Sequence, residues 1–174
     1  TWAQVQQLQN SYGWEIGAHT INHKRLSELT NSQKNTELSQ SKQDLINHGL
    51  NVSQFASPEG DYDYTSLSYV AKYYSSHRGF WDRNKNTFPY NDYILEVKQV
   101  QEPVTVSAVK LSIDQAIANK KWLILVFHRI RLAPSNDPND YEYSKAKLDQ
   151  IASYVKTKQN AGLIRSVKIS EGLD

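Results

Sequence analysis

Residues 13–23 read GWEIGAHTINH. Trp14–Ala18 is an apolar, strand-like run, and two of the chain's five histidines, His19 and His23, stand at its end. A strand here, between a helix before it and a helix after it, sets the expectation that strand and helix alternate along the chain.

Before it, AQVQQLQNSYG reads as a short helix with Val5 and Leu8 on one face and Gly13 past its end. After it, LTNSQKNTELSQSKQDLINHG reads as a helix. Thr30 and Gln33 have capping-box spacing, Gly49 supplies a left-handed exit, and Leu38, Leu45 and Ile46 face inward. SQFASP is a short strand stopped by Pro58. YTSLSYVAKYYSS is a helix, HRGFW a strand, DRNKNTFPYND a polar loop, YILEVKQV a strand and SAVKLSIDQAIANKK a helix. WLILVFH is an almost continuous apolar run, as in a strand covered on both faces. RIRLAPSNDPND reads as a loop. SKAKLDQIASYVKTKQNAG is a helix with Leu148, Ile151, Ala152 and Val155 on one stripe, and LIRSVKI closes as a strand. Strand and helix alternate about six times, which predicts an α/β fold with a parallel sheet, open or closed into a barrel.

The chain has 174 residues, which fits a single domain over 1–174 with a real core. Net charge is +2, from 20 basic and 18 acidic side chains, and no basic block forms a nucleic-acid footprint. The longest apolar run, Trp122–Phe127, is too short to span a bilayer. Cysteine is absent, which removes disulfides and thiolate metal sites. Methionine is absent as well, and TWAQVQQLQN carries no signal peptide, so the chain reads as a mature, processed or truncated piece. Eleven tyrosines and four tryptophans suit contact with the apolar faces of sugar rings, although core and rim packing explain the same composition.

Chemistry in α/β sheets gathers at the C-terminal ends of strands. Three strand ends here carry unusual polar residues: HTINH (19–23), SPEGDYD (57–63) and HRI (128–130). His19 and His23 can share one metal if the backbone turns tightly between them, and a catalytic zinc needs three protein ligands and an open position. A loop residue and a hydrogen-bonded strand end would give the same pair. Pro58 stiffens its turn and Gly60 permits a conformation closed to other residues, so the turn can aim a backbone N–H at an oxyanion. A plain strand-to-helix turn is the simpler alternative. His128 can serve as a general acid, or be a hydrogen-bonded core histidine. His48 and His77 receive no role.

In this order the residues resemble the polysaccharide deacetylases of carbohydrate esterase family 4, the NodB-type domain. His19-Thr20-Ile21-Asn22-His23 is similar to that family's second motif, H-[ST]-x-x-H. FASPEGDYD resembles its third motif in the F-A-x-P-x-G-x-Y variant, and LILVFHRI its fifth. The resemblance implies a distorted (β/α) barrel and metal-assisted hydrolysis of an acetyl group, with Zn2+ or another divalent metal on His19 and His23. It implies that the backbone N–H of Glu59 helps hold the oxyanion and that His128 protonates the leaving group. Pro58, Gly60, Tyr62 and Trp81 would meet substrate, with Tyr64 and Tyr90 as further sugar platforms. It also implies an extracellular or cell-envelope location and a polysaccharide or oligosaccharide partner.

Three departures accompany the resemblance. The family's T-F-D-D motif, which supplies base and third ligand, has no counterpart, so the barrel is expected to be incomplete. Its first two strands would precede residue 1, about fifty residues of chain, and a complementary N-terminal segment could supply them. Without those strands the open edges should make the segment unstable. Ala56 stands near the place where many members carry an arginine. In GFWDRN, Trp81 precedes Asp82, the reverse of the fourth motif. The leading expectation is de-N-acetylation of an N-acetylglucosamine polymer such as chitin, peptidoglycan or an exopolysaccharide. The alternatives are an acetylxylan-type O-deacetylase, an inactive carbohydrate-binding relative, and an unrelated α/β domain with structural histidines.

Overall fold

The computed structural model describes residues 1–79, 86–135 and 137–173. Trp81, expected to meet substrate, lies outside these residues, as does Asp82 beside it. Helix α1 (Trp2–Tyr12) leads into strand β1 (Ile16–Ala18), followed by α2 (Asn31–Asn47), β2 (Val52–Ala56), α3 (Tyr64–Val70) and β3 (Ser76–Arg78). Then come β4 (Lys98–Gln99), α4 (Val106–Ala118), β5 (Leu125–Val126), β6 (Arg129–Arg131), β7 (Glu142–Ser144), α5 (Lys145–Asn160) and α6 (Ile169–Leu173).

The ladders between these strands are all parallel, as the alternation predicted. The described strands form three short sheets, β1-β2-β3, β4-β5 and β6-β7. The chain divides into two compact units. The first holds the described parts of Thr1–Phe80, Tyr90–Leu95 and Val167–Asp174; the second holds those of Trp81–Pro89 and Glu96–Ser166.

Helix ends follow the local chemistry. Thr30 and Gln33 form the expected capping box on α2, and Thr1 and Gln4 form a second one on α1. Gly13 ends α1 at φ 71°, and Gly49 takes φ 73° beyond α2, both in the left-handed region that a glycine enters without a Cβ clash.

In the first unit, Ala18, Leu26, Leu38, Val52, Phe55, Val70 and Tyr74 form the core. Fully burying a leucine such as Leu38 stabilises by about 1.5–3 kcal/mol, so this cluster outweighs any single cap. The β2–β3 register pairs Gln54 with Ser76, Phe55 with His77 and Ala56 with Arg78. Side chains alternate across a sheet, so these rows take opposite faces. Phe55 stacks on His77 on the core face, and Ser76 Oγ donates to the Gln54 side chain on the other. In the second unit, Val100, Val109, Ile113, Tyr143 and Ile151 form the core.

Several expectations are corrected. WLILVFH contributes only β5 to a ladder, and its burial alternates, with Ile124 and Val126 buried while Leu123, Leu125 and Phe127 are half-buried. Arg129–Arg131, read as loop, is strand β6. On α5, Ala152 is exposed and Tyr154 packs against the core instead. Ile46 is also exposed. LIRSVKI is not a strand: its end enters α6, and the Lys168 N–H is taken by the Glu171 carboxylate at 3.0 Å.

Candidate active site

The loop after β1 turns on two non-glycine residues in the left-handed region, Thr20 (φ 62°) and His23 (φ 53°). Such backbone persists only where its surroundings hold it. Thr20 Oγ1 accepts from the His23 N–H at 3.1 Å. From α2, the buried Glu37 reaches into the loop. One of its oxygens accepts from the Ile21 and Asn22 N–H groups at 2.9 and 3.0 Å, and the other accepts from Asn22 Nδ2 at 2.7 Å. Burial pushes the Glu37 carboxyl up, but these hydrogen bonds outweigh it and hold the group below the usual carboxylate range.

The tight turn brings the two histidine rings edge to face, with centroids 4.9 Å apart. Both side chains lie on exposed residues. His19 Nδ1 is 2.7 Å from the Ala56 carbonyl, which can only accept, so Nδ1 carries the proton and the neutral ring's lone pair is on Nε2. A backbone carbonyl on the far nitrogen is the usual orienting partner of a metal-binding imidazole. The pair therefore fits a divalent metal such as zinc. Among the described residues, no group of three or more His, Asp or Glu side chains converges on one point, so a metal there would find two candidate ligands and no third among them.

The turn after β2 stands beside this loop. Pro58 is buried, and Glu59 adopts φ 52° and ψ 13°. The Gly60 and Asp61 N–H groups bond to Ser57 and Pro58 carbonyls at 3.0 Å, whereas no described acceptor takes the Glu59 N–H. Two clasps join the turn to the chain just past His23. Arg25 Nε donates to the Glu59 carboxylate at 2.7 Å, with a second bond from Nη2. Ser27 donates its N–H and hydroxyl to Asp61 at 2.8 and 2.9 Å.

His77, to which the sequence assigned no role, supports the turn from below. Its Nδ1 lies 2.8 Å from the Tyr93 carbonyl and must donate, so Nε2 accepts from Ser57 Oγ at 2.7 Å. Burial drives its pKa down to about 4, so the ring is neutral at physiological pH. Tyr62 packs edge-on against this ring with centroids 4.8 Å apart. Gly79 leaves room for that tyrosine, since a Cβ there would come within 2.6 Å of Tyr62 Cε1. The half-buried Tyr62 is thus a wall of the turn as well as a candidate sugar contact, and Tyr64 is 88% exposed. Tyr90 donates its hydroxyl to the Gly172 carbonyl.

His128 belongs to the second unit, between β5 and β6. Its residue is exposed rather than in the core, and its ring tilts against Tyr141 with centroids 5.2 Å apart. The Arg129 N–H bonds to the Tyr141 carbonyl at 3.1 Å, which joins the two residues through the backbone as well.

The polysaccharide deacetylase family model matches residues 1–75, a span that includes both histidines and the Pro58–Gly60 turn. No curated protein matches the chain. Among solved structures, the chain is similar to a Streptococcus pyogenes deacetylase, PplD, in complex with acetate (TM-score 0.58, 20% identity, covering 64% of this chain and 50% of that one). It is similar to a polysaccharide deacetylase from Bacillus cereus (TM-score 0.56, 25% identity, 65% and 36%). A carbohydrate esterase family 4 domain of a multidomain xylanase, from the hindgut metagenome of Trinervitermes trinervoides, matches over 97% of this chain and 67% of its own (TM-score 0.60, 14% identity). The chain spans half the length of the streptococcal protein and about a third of the Bacillus one. The family match at the histidine loop makes residues 1–75 similar to the polysaccharide deacetylases, and the chain shares the fold of these solved structures.

Proposed function

We propose that the chain carries the metal-binding part of a hydrolase that removes acetyl groups from a polysaccharide, an N-acetylglucosamine polymer before an acetylated xylan. The observation that carries this reading is the His19–His23 pair, brought within 4.9 Å by a loop that a buried carboxylate holds in shape. His19 and His23 would hold a divalent metal, which would supply a Lewis acid and an acidified water. The Glu59 N–H, which has no acceptor among the described residues, donates to the oxygen that becomes negative as the acetyl carbon turns tetrahedral. His128 delivers a proton to the departing amine, a poor leaving group without one. Pro58 and Gly60 fix the donor, and Tyr62 and Tyr64 offer faces to sugar rings.

Acetate release from acetylated chito-oligosaccharides and from acetylated xylan, by this protein after chelation and again after zinc is restored, tests the reading. Zinc-dependent release from the chito-oligosaccharides is the expected result. Release from xylan alone moves the assignment to an O-deacetylase. Polymer binding with no release from either substrate overturns the hydrolase reading in favour of a carbohydrate-binding relative.

A further inference from the structure

Among the described residues, the non-glycine positions with positive φ are Thr20, His23, Glu59, Lys120 and Tyr141. The first three shape the two turns of the candidate site. Lys120 follows α4, where the Lys120 and Lys121 N–H groups bond back to the Ile117 and Ala116 carbonyls at 3.2 and 2.9 Å, an ordinary helix exit. Tyr141 remains, at φ 52° and ψ 33° after the turn Pro138–Asp140. A Cβ is disfavoured in this region, and a bulky side chain stays there only where its surroundings hold it.

The chain from β6 to β7 does hold it. The Glu142 carboxylate accepts from Arg131 Nε at 2.9 Å and from the Ser135 N–H at 3.0 Å. The Asp137 carboxylate accepts from the Asn139 N–H and side-chain amide, both at 2.9 Å, and the Pro138 carbonyl accepts from Gln101 Nε2 at 2.9 Å. This bracing does not bury the tyrosine, which is 47% exposed. Its ring meets the His128 ring instead, with planes at 50°. The register explains the meeting: β6 and β7 run parallel with Ile130 opposite Tyr143, so two residues earlier His128 and Tyr141 stand abreast. We propose that Tyr141 is a positioning residue for His128. Its ring limits the orientations of the exposed imidazole and holds the one from which the proton is delivered. A donor on a loosely held side chain spends most of its time misdirected, and fixing it removes an entropic part of the barrier. The proton delivery rests on the deacetylase reading; the orientation of the imidazole does not.

The test compares the protein with its Tyr141→Gly and Tyr141→Phe variants. Glycine enters the left-handed region freely, so it spares the loop and removes the ring. Phenylalanine keeps the ring and drops the hydroxyl. The His128 ring-proton resonances, which sense a neighbouring aromatic ring, should move in the glycine variant and stay close to their original positions with phenylalanine. Acetate release by the zinc-loaded protein should fall roughly 10–100-fold in kcat with glycine, with KM and zinc affinity unchanged, and phenylalanine should restore most of the loss. Tyr141→Asn, which also tolerates this backbone, stands in if the glycine variant does not fold. His128 resonances that ignore the glycine substitution overturn the proposal, and so does a full kcat in that variant. Failure of phenylalanine to rescue moves the role to the hydroxyl and overturns it as well. If the unmodified protein releases no acetate while its His128 resonances still depend on the Tyr141 ring, the deacetylase reading falls and the positioning stands.

Discussion

The two histidine neighbourhoods are built differently. Around His19 and His23 the backbone is held in a rare conformation by Glu37, Thr20 and the two clasps to the Pro58 turn. Around His128 two short strands meet, and an exposed ring leans on Tyr141. The difference tracks the chemistry each is proposed to do. Metal ligands must converge on a fixed point, and tenths of an ångström matter. A general acid needs access, a suitable pKa and room to follow its proton.

That contrast breaks if the braced loop proves indifferent to its braces. His19→Ala or His23→Ala should lower zinc affinity the most, by more than about 100-fold, since each removes a ligand outright; competition with a zinc-sensitive dye measures it. His128→Ala should leave zinc affinity unchanged and reduce the rate of acetate release by about 10²–10⁴-fold. Any loss of zinc by that variant would erase the division between the two regions. Glu37→Gln keeps the size but disturbs three hydrogen bonds, and should weaken zinc binding about 10–100-fold with no change at His128 in a histidine-detected spectrum.

Acid should act on the first unit through His77. Its folded pKa of about 4 lies below its ordinary value of 6.5, so the fold favours the neutral ring. Its contribution to stability is therefore complete above pH 6.5 and is lost as pH falls from there to about 4, where it levels off. The loss amounts to about 3 kcal/mol, readable from urea melts across that window. His77→Phe should flatten the profile. The smallest effect is expected at the exposed Arg25–Glu59 clasp: Arg25→Ala should leave the midpoint of a urea melt almost unchanged.

Much of this was legible in the sequence because it is local. Thr30, Gln33 and Gly49 announce their helix ends, and the H-x3-H spacing announces a tight turn. Glu37 was not legible: it reads as one more polar residue of a helix until packing carries it to a loop fifteen residues earlier. His77 was passed over for the same reason, since its partners Ser57 and Tyr93 are far from it in the chain. LIRSVKI misled because its apolar residues suit a strand, whereas the cue for a helix start was the carboxylate of Glu171, three residues past Lys168. Glu15, which accepts from the Ser170 N–H at 3.1 Å, helps hold that helix from the opposite end of the sequence.

The two-faced row on β3 also acts as a proofreader. His77 and Arg78 are neighbours with opposite requirements, one stacked on Phe55 in an apolar core and the other on the polar face. If β3 paired with β2 one residue out of step, every side chain would change faces. The guanidinium would enter the cluster of Phe55, Val70 and Tyr74, and the imidazole would lose Ser57. A mispaired strand would thus carry an uncompensated charge in its core, an error of several kcal/mol. A folding chain that tries the wrong alignment is turned back by the residue that ends the strand.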